Sequence, residues 1–232
     1  MLNAANMCEA TGFRRQRPLV LEVRDELERM ILDGEVPAGA RLNEPSLAAQ
    51  MGVSRAPVRE AARSLERDGL VTTVTNQGVF VRKPSVEQTL ELYELRAMIA
   101  GLLCGRVAQT SDDETRTTLR ARVTQMADAI EAGDQEDYAA QNTAFHDQIA
   151  QAAGTHRATE LYVALGKEVR LLRLRSPDGV AAMRASNAEH DRIVAAIEIG
   201  DAETARLEGS QHHLNGKARL LELLDRTDTT QT

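Results

Sequence analysis

The stretch "NEPSLAAQMGVSRAPVREAARSLERDGLV", residues 43–71, leaves few folds open to the front of this chain. Arg55, Arg59, Arg63 and Arg67 recur at steps of four. Each such step advances a helix by about 40°, so the four guanidinium groups share one edge of a helix while Val58, Ala61, Ala62 and Leu65 fall on another. A merely solvated face would explain the stripe as well, since Glu66 is within reach of Arg63, and the neighbours must decide. Upstream, Leu47, Ala48 and Met51 mark a short helix beginning at Glu44, and Gly52 suits its left-handed end. Ser54 is a good N-cap for the basic helix, and Pro57 is tolerated in its first turn. A helix, a tight glycine turn and a basic helix make a helix-turn-helix.

The flanks complete a winged version of that motif. Leu19, Val23, Leu27, Met30 and Ile31 form one face of an earlier helix stopped by Gly34 and Pro37. Two β-branched runs around Asn76, Gln77 and Gly78 read as a hairpin. The winged domain is expected over residues 17–84, behind a disordered tail at 1–16.

From "ILDGEVPAGARLNEPSLAAQMGVSRAPVREAARSLERDGLV" through the glycine-containing wing, the chain resembles the DNA-binding domain of GntR-family bacterial transcription regulators. The resemblance implies that Arg55 and Arg59 approach base edges of double-stranded operator DNA, that Ser54 meets a phosphate, and that Gly78 sits at the wing tip near the minor groove. Arginine suits base reading because its planar fork can donate two hydrogen bonds to a guanine edge. This chain departs from the pattern at Pro45, where some relatives carry a phosphate-binding arginine, and at the wing sequence "TNQG", which has no basic residue.

Charge divides along the chain. Residues 13–84 carry 12 Lys and Arg against 10 Asp and Glu, while residues 85–232 carry 16 against 24. The acidic remainder would repel DNA, so only the front should touch an operator. No run approaches the ~18 apolar residues that span a bilayer, and the start of the chain has no apolar signal core. A cytoplasmic protein with no membrane partner is expected. Cys8 and Cys104 belong to no CxxC pair and read as a tail thiol and a core residue.

Residues 85–225 are punctuated as helices throughout, with a polar tail at 226–232. Capping boxes are expected at Ser85 and Ser111, stops at Gly133, Gly154 and Gly200, and an interruption at Pro177. Leu92, Leu95, Ile99, Leu102, Leu103 and Val107 supply an apolar face for packing. The fold class is therefore mainly α: an N-terminal winged helix-turn-helix followed by an antiparallel bundle of about six helices.

All five histidines lie in this second part. Asn142 and His146 are spaced i, i+4, His190 falls on a following helix and His212 on the last. Three imidazoles and an oxygen donor from three helices suit a divalent transition metal such as zinc or nickel, although helical histidines also cap, pair or pack. "LELYELRAMIAGLL", "FHDQIAQAAG" and "EHDRIVAAIEIGDAETA" resemble the FCD ligand-binding domain of the FadR subfamily. That resemblance implies a metal set of Asn142, His146, His190 and His212, with asparagine where an aspartate is usual and His212 rather than His213 as ligand. It also implies that Arg96 reaches a pocket for a small carboxylate effector; an ion pair with Glu91 or another bundle carboxylate is the alternative.

Three readings follow: a homodimeric regulator controlled by a metal-anchored organic acid, a regulator of which the metal itself is the signal, and a metalloenzyme. The enzyme reading needs a general base near the metal, and its di-iron variant needs two Glu-x-x-His pairs, of which the chain has none.

Overall fold

The computed structural model describes residues 17–173 and 179–229. The expected tail at 1–16, with Cys8, and the interruption at Pro177 lie outside these residues. Packing divides the chain into two compact units, Met1–Val81 and Arg82–Thr232.

The first unit contains α1 (Leu19–Leu32), α2 (Glu44–Gln50), α3 (Arg55–Arg67), β1 (Val71–Val74) and β2 (Gly78–Val81). Leu27, Ile31, Val58, Leu65 and Leu70 are fully buried between the helices and the hairpin. Leu19, expected on the inward face of α1, is exposed because it occupies the first turn, beyond the reach of that core. Asn43 caps α2 by accepting from the Ser46 amide at 3.1 Å, and Gly52 closes the turn to α3 with φ of 66°. The strands pair antiparallel with Val71 opposite Val81 and Val74 opposite Gly78. Asn76, at φ 62°, takes the left-handed position of the three-residue connection.

The second unit is built from α4 (Val86–Thr110), α5 (Asp113–Ala132), α6 (Gln135–Ala152), α7 (His156–Arg173), α8 (Val180–Glu198) and α9 (Ala202–Thr229). The capping box at Ser85 is present in both directions with Gln88. The one expected at Ser111 is not: Ser111 ends α4, and Asp112 caps α5 by accepting from the Thr115 amide at 2.9 Å. Two adjacent cap-forming residues compete there, and the carboxylate wins because an anion also suits a helix N-terminus. Leu103, Leu119, Met126, Phe145, Ile193 and Ile197 form the centre of the bundle.

α4 and α9 run antiparallel at close range. Ser210 Oγ donates to the Ala97 carbonyl at 2.8 Å, and further along Glu94 pairs with Lys217. A Cβ at Gly101 would meet the Arg206 carbonyl oxygen at 2.9 Å and the Ser210 hydroxyl closer still. Such small residues let the backbones approach, and Gly101→Ala is expected to cost about 1–3 kcal/mol through overpacking. A thermal melt reads this directly; an unshifted midpoint would mean that the two helices separate without penalty.

This close packing corrects the expected face of α4. Leu103 and Val107 are buried, but Leu95 and Leu102 are exposed and Leu92 and Ile99 only partly covered. The small residues take the contact with α9, so some of the bulky ones point outward.

Candidate functional site

On α3, Arg55, Arg59, Arg63 and Arg67 are all exposed, and Val58, Ala61, Ala62 and Leu65 are all buried. Ser54 stands at the N-cap position, yet its side chain makes no capping hydrogen bond. The reason is local: the usual donor three residues on is Pro57, which has no N–H. The Ser54 hydroxyl is thus left exposed at the helix start. Arg59 donates through Nη2 and Nε to Glu44 Oε2 at 2.9 and 3.2 Å, which ties the basic edge of α3 to the start of α2.

Gly78 is the first residue of β2, beside the wing turn rather than at its tip, with φ of 110°. The Arg41 guanidinium packs against it; a Cβ there would lie 3.0 Å from Arg41 Nε. The wing sequence holds no basic residue, but the fold brings one to its edge. Arg41 reaches it through an isolated bridge to Phe80, far away in sequence, which is why no local pattern revealed it.

In the helical unit, α6, α8 and α9 bring His146, His190 and His212 together. One ring nitrogen from each lies within 4.8 Å of the others. His190 Nε2 faces His212 Nε2 at 3.3 Å, while His190 Nδ1 is buried without a hydrogen-bond partner. Asn142 lies one turn before His146, half-buried on α6. Burial pushes the His190 ring well below its ordinary pKa. Burial also lowers His212, against the opposing pull of Glu189. Neutral rings keep the lone pairs that a metal requires, so the donor set fits a divalent ion of the zinc or nickel type.

Around His212 stands a buried carboxylate that no sequence pattern singled out. Glu189 Oε2 accepts from His212 Nδ1 at 2.8 Å, and Glu189 also accepts from Asn215 Nδ2 at 2.9 Å and from Arg219 Nη1 and Nη2 at 2.7 and 3.0 Å. Burial raises the Glu189 pKa, but the hydrogen bonds from His212 and Arg219 outweigh it and hold the carboxyl at about 2. With the proton of His212 committed to Nδ1, its Nε2 lone pair turns toward the other two imidazoles. A carboxylate behind a ligating histidine orients it in this way.

His213 points elsewhere. Its Nε2 lies 2.9 Å from Tyr162 Oη, which is also 3.2 Å from His146 Nδ1. Tyr162 in turn lies under Arg96, whose guanidinium carbon is 4.5 Å from the ring centroid. Arg96 Nε is buried without a hydrogen-bond partner, and among the bundle carboxylates Asp147 lies near enough for the Arg96 charge to act on it. A narrow cavity is lined by His146, Tyr162, His212 and His213 on its polar side and by Leu103 and Ile149 on its apolar side.

A winged helix-turn-helix joined to a helical unit with a histidine cluster defines a two-part DNA-binding regulator. Residues 19–81 match the model of bacterial regulatory proteins of the gntR family, and residues 91–215 match the FCD domain. A relative named "Probable D-xylose utilization operon transcriptional repressor", from Paenarthrobacter nicotinovorans, is 32% identical over 207 residues, covering 89% of this chain and 90% of that one. A GntR-type transcriptional regulator of Rhodococcus sp. RHA1 superposes with a TM-score of 0.72 at 28% identity, over 88% of this chain and 98% of the other. The fold is shared with E. coli McbR/YncC, at a TM-score of 0.75, 22% identity, and coverage of 90% and 100%. The chain belongs to the GntR family of transcription regulators and carries an FCD domain. Its relatives are regulators rather than enzymes, and none of its described helices is long and apolar enough to cross a membrane.

Proposed function

We propose that this regulator is a cytoplasmic homodimeric repressor whose operator affinity is set by a small carboxylate held at or beside a divalent transition metal. The observation that carries this reading is the convergence of His146, His190 and His212 from three helices, with His146 and His212 lining a cavity. Asn142 would add a neutral oxygen donor, which leaves the full charge of the ion to attract an anion. Arg96, stacked on Tyr162 at the same site, would supply a second cationic contact. Acid binding would favour one placement of the winged domains over another and so change operator affinity.

On DNA, Arg55 and Arg59 would read base edges, Ser54 would contact phosphate, and Gly78 with Arg41 would bring the wing edge to the backbone. Two copies on a palindrome double contacts that are few for one small domain. An operator selected from random duplexes and titrated in gel shifts is expected to bind Arg55→Ala or Arg59→Ala more weakly by about 1–3 kcal/mol per half-site. Parent-like binding by both variants would remove α3 from the base-reading role. Repeating the titration with chelator, with zinc or nickel, and with a panel of small carboxylates tests the control mechanism. A response to metal alone would favour the metal as signal, and no response to either would defeat the proposal.

A further inference from the structure

Two buried side-chain atoms of α8 have no hydrogen-bond partner, and their residues stand one turn apart: Asn187 Oδ1 and His190 Nδ1. Asn187 is held by its other end, since its Nδ2 donates to the Val123 carbonyl of α5 at 3.1 Å. Its amide is therefore oriented, with the oxygen left over. His190 is fully buried. A helical side chain leans back over the turn before it, which puts the His190 ring on the side of α8 where Asn187 stands. Within that ring Nε2 is the far atom and reaches His212 Nε2 at 3.3 Å, while Nδ1 stays close to its own helix. Unsatisfied buried groups cost free energy, and two such neighbours call for one explanation.

The placement of protons supplies it. A neutral imidazole, the form that burial favours for both rings, carries one N–H and one lone pair. His212 commits its N–H to Glu189 through Nδ1, so its Nε2 is an acceptor. The contact between the two Nε2 atoms is then a hydrogen bond only if His190 carries its proton on Nε2. That tautomer makes His190 Nδ1 a bare acceptor beside a second acceptor, Asn187 Oδ1, and two acceptors cannot bond. We infer that Asn187 is a positioning residue for His190, its Oδ1 accepting a hydrogen bond from Nδ1–H when a divalent ion takes Nε2. The inference rests on the metal site proposed above and adds what holds its second imidazole. An ion on Nε2 excludes the proton from that atom, and the ring keeps its one proton by carrying it on Nδ1. The charge of the ring is unchanged, but a mismatched pair of acceptors becomes a donor and an acceptor. Metal binding thereby satisfies two buried atoms at once. The two imidazoles are then fixed alike from behind, His212 by Glu189 and His190 by Asn187.

Zinc titrations of the full chain against a chromophoric chelator test the assignment. Asn187→Leu removes the acceptor at similar volume and is expected to lower zinc affinity by about 10–100-fold, the range for groups that support a ligating histidine. Asn187→Asp is the control. It loses the donor to Val123 as the leucine variant does but keeps an oxygen for His190, so its zinc affinity should match or exceed that of the parent. Equal losses in the two variants would make Asn187 a clamp between α5 and α8 and overturn the inference, as would parent-like affinity in Asn187→Leu. NMR of the histidine ring nitrogens in the parent gives a reading that needs no variant. His190 is expected as the Nε2–H tautomer in the chelator-treated chain and as Nδ1–H, protected from exchange with water, in the zinc-loaded one. A ring that keeps its proton on Nε2 after zinc is added would put the ion on Nδ1 and overturn the role of Asn187, while leaving the metal site intact. A parent that takes up no zinc would overturn the metal site, and this inference with it.

Discussion

His212→Ala is expected to lower metal affinity by more than about 100-fold, whereas His213→Ala leaves it within a few-fold of the parent. The two rings are adjacent in sequence and both are buried, so composition and burial cannot separate them; direction can. His212 turns Nε2 to within 3.3 Å of His190 Nε2, while His213 turns Nε2 to the Tyr162 hydroxyl at 2.9 Å. The bound on the first effect follows because groups that merely support a ligand are worth about 10–100-fold, and removing a ligand should exceed that. Competition against a chromophoric chelator measures both variants, and the melting temperature gives a second reading, since an ion that binds only the folded chain raises it. Loss in His213→Ala with retention in His212→Ala would shift the proposed site one position along α9.

What the sequence made legible here follows from how far apart the cooperating residues lie. α3 has a single period, one basic edge and one apolar face, so its burial pattern could be read from spacing alone. Between residues 97 and 105 α4 is apolar all round, and periodicity cannot say which apolar residues turn inward when glycine and alanine take the tightest contact. The choice between Ser111 and Asp112 turned on one residue, because both can cap. Likewise Ser54 occupies an N-cap whose usual donor is missing at Pro57, a detail visible in sequence only if the cap is counted forward to the proline.

The histidine cluster was legible because few residue types bind transition metals and all five histidines fall in one unit. Its support was not. Glu189 lies 23 residues from His212 and 30 from Arg219 in sequence, and no short motif spans such a gap. A weaker signal did exist: His212, Asn215 and Arg219 follow one another at i, i+3 and i+7, which places all three on one face of α9. Two donors and an imidazole in line on a buried face call for an acceptor on the neighbouring helix. Glu189, next to His190, is that acceptor.

Glu189→Gln is expected to lower metal affinity by about 10–100-fold although glutamine never touches the metal. The carboxylate accepts from His212, Asn215 and both terminal nitrogens of Arg219, and an anion can satisfy all of these because it carries acceptors only. An amide replaces one acceptor oxygen with N–H₂, so a donor must then face the imidazole N–H of His212 or a guanidinium N–H of Arg219. His212 is left free to turn or to move its proton to Nε2, and either change removes the lone pair from the cluster. The same substitution should lower the stability of the metal-free chain by about 1–3 kcal/mol through the weakened bonds between α8 and α9. Arg219→Gln separates the two effects: it loosens the same clamp but leaves the bond between Glu189 and His212 in place, so it should cost similar stability with most of the metal affinity retained. If Glu189→Gln destabilised the chain without changing metal affinity, Glu189 would be a helix clamp, and the orientation of His212 would be set by packing alone.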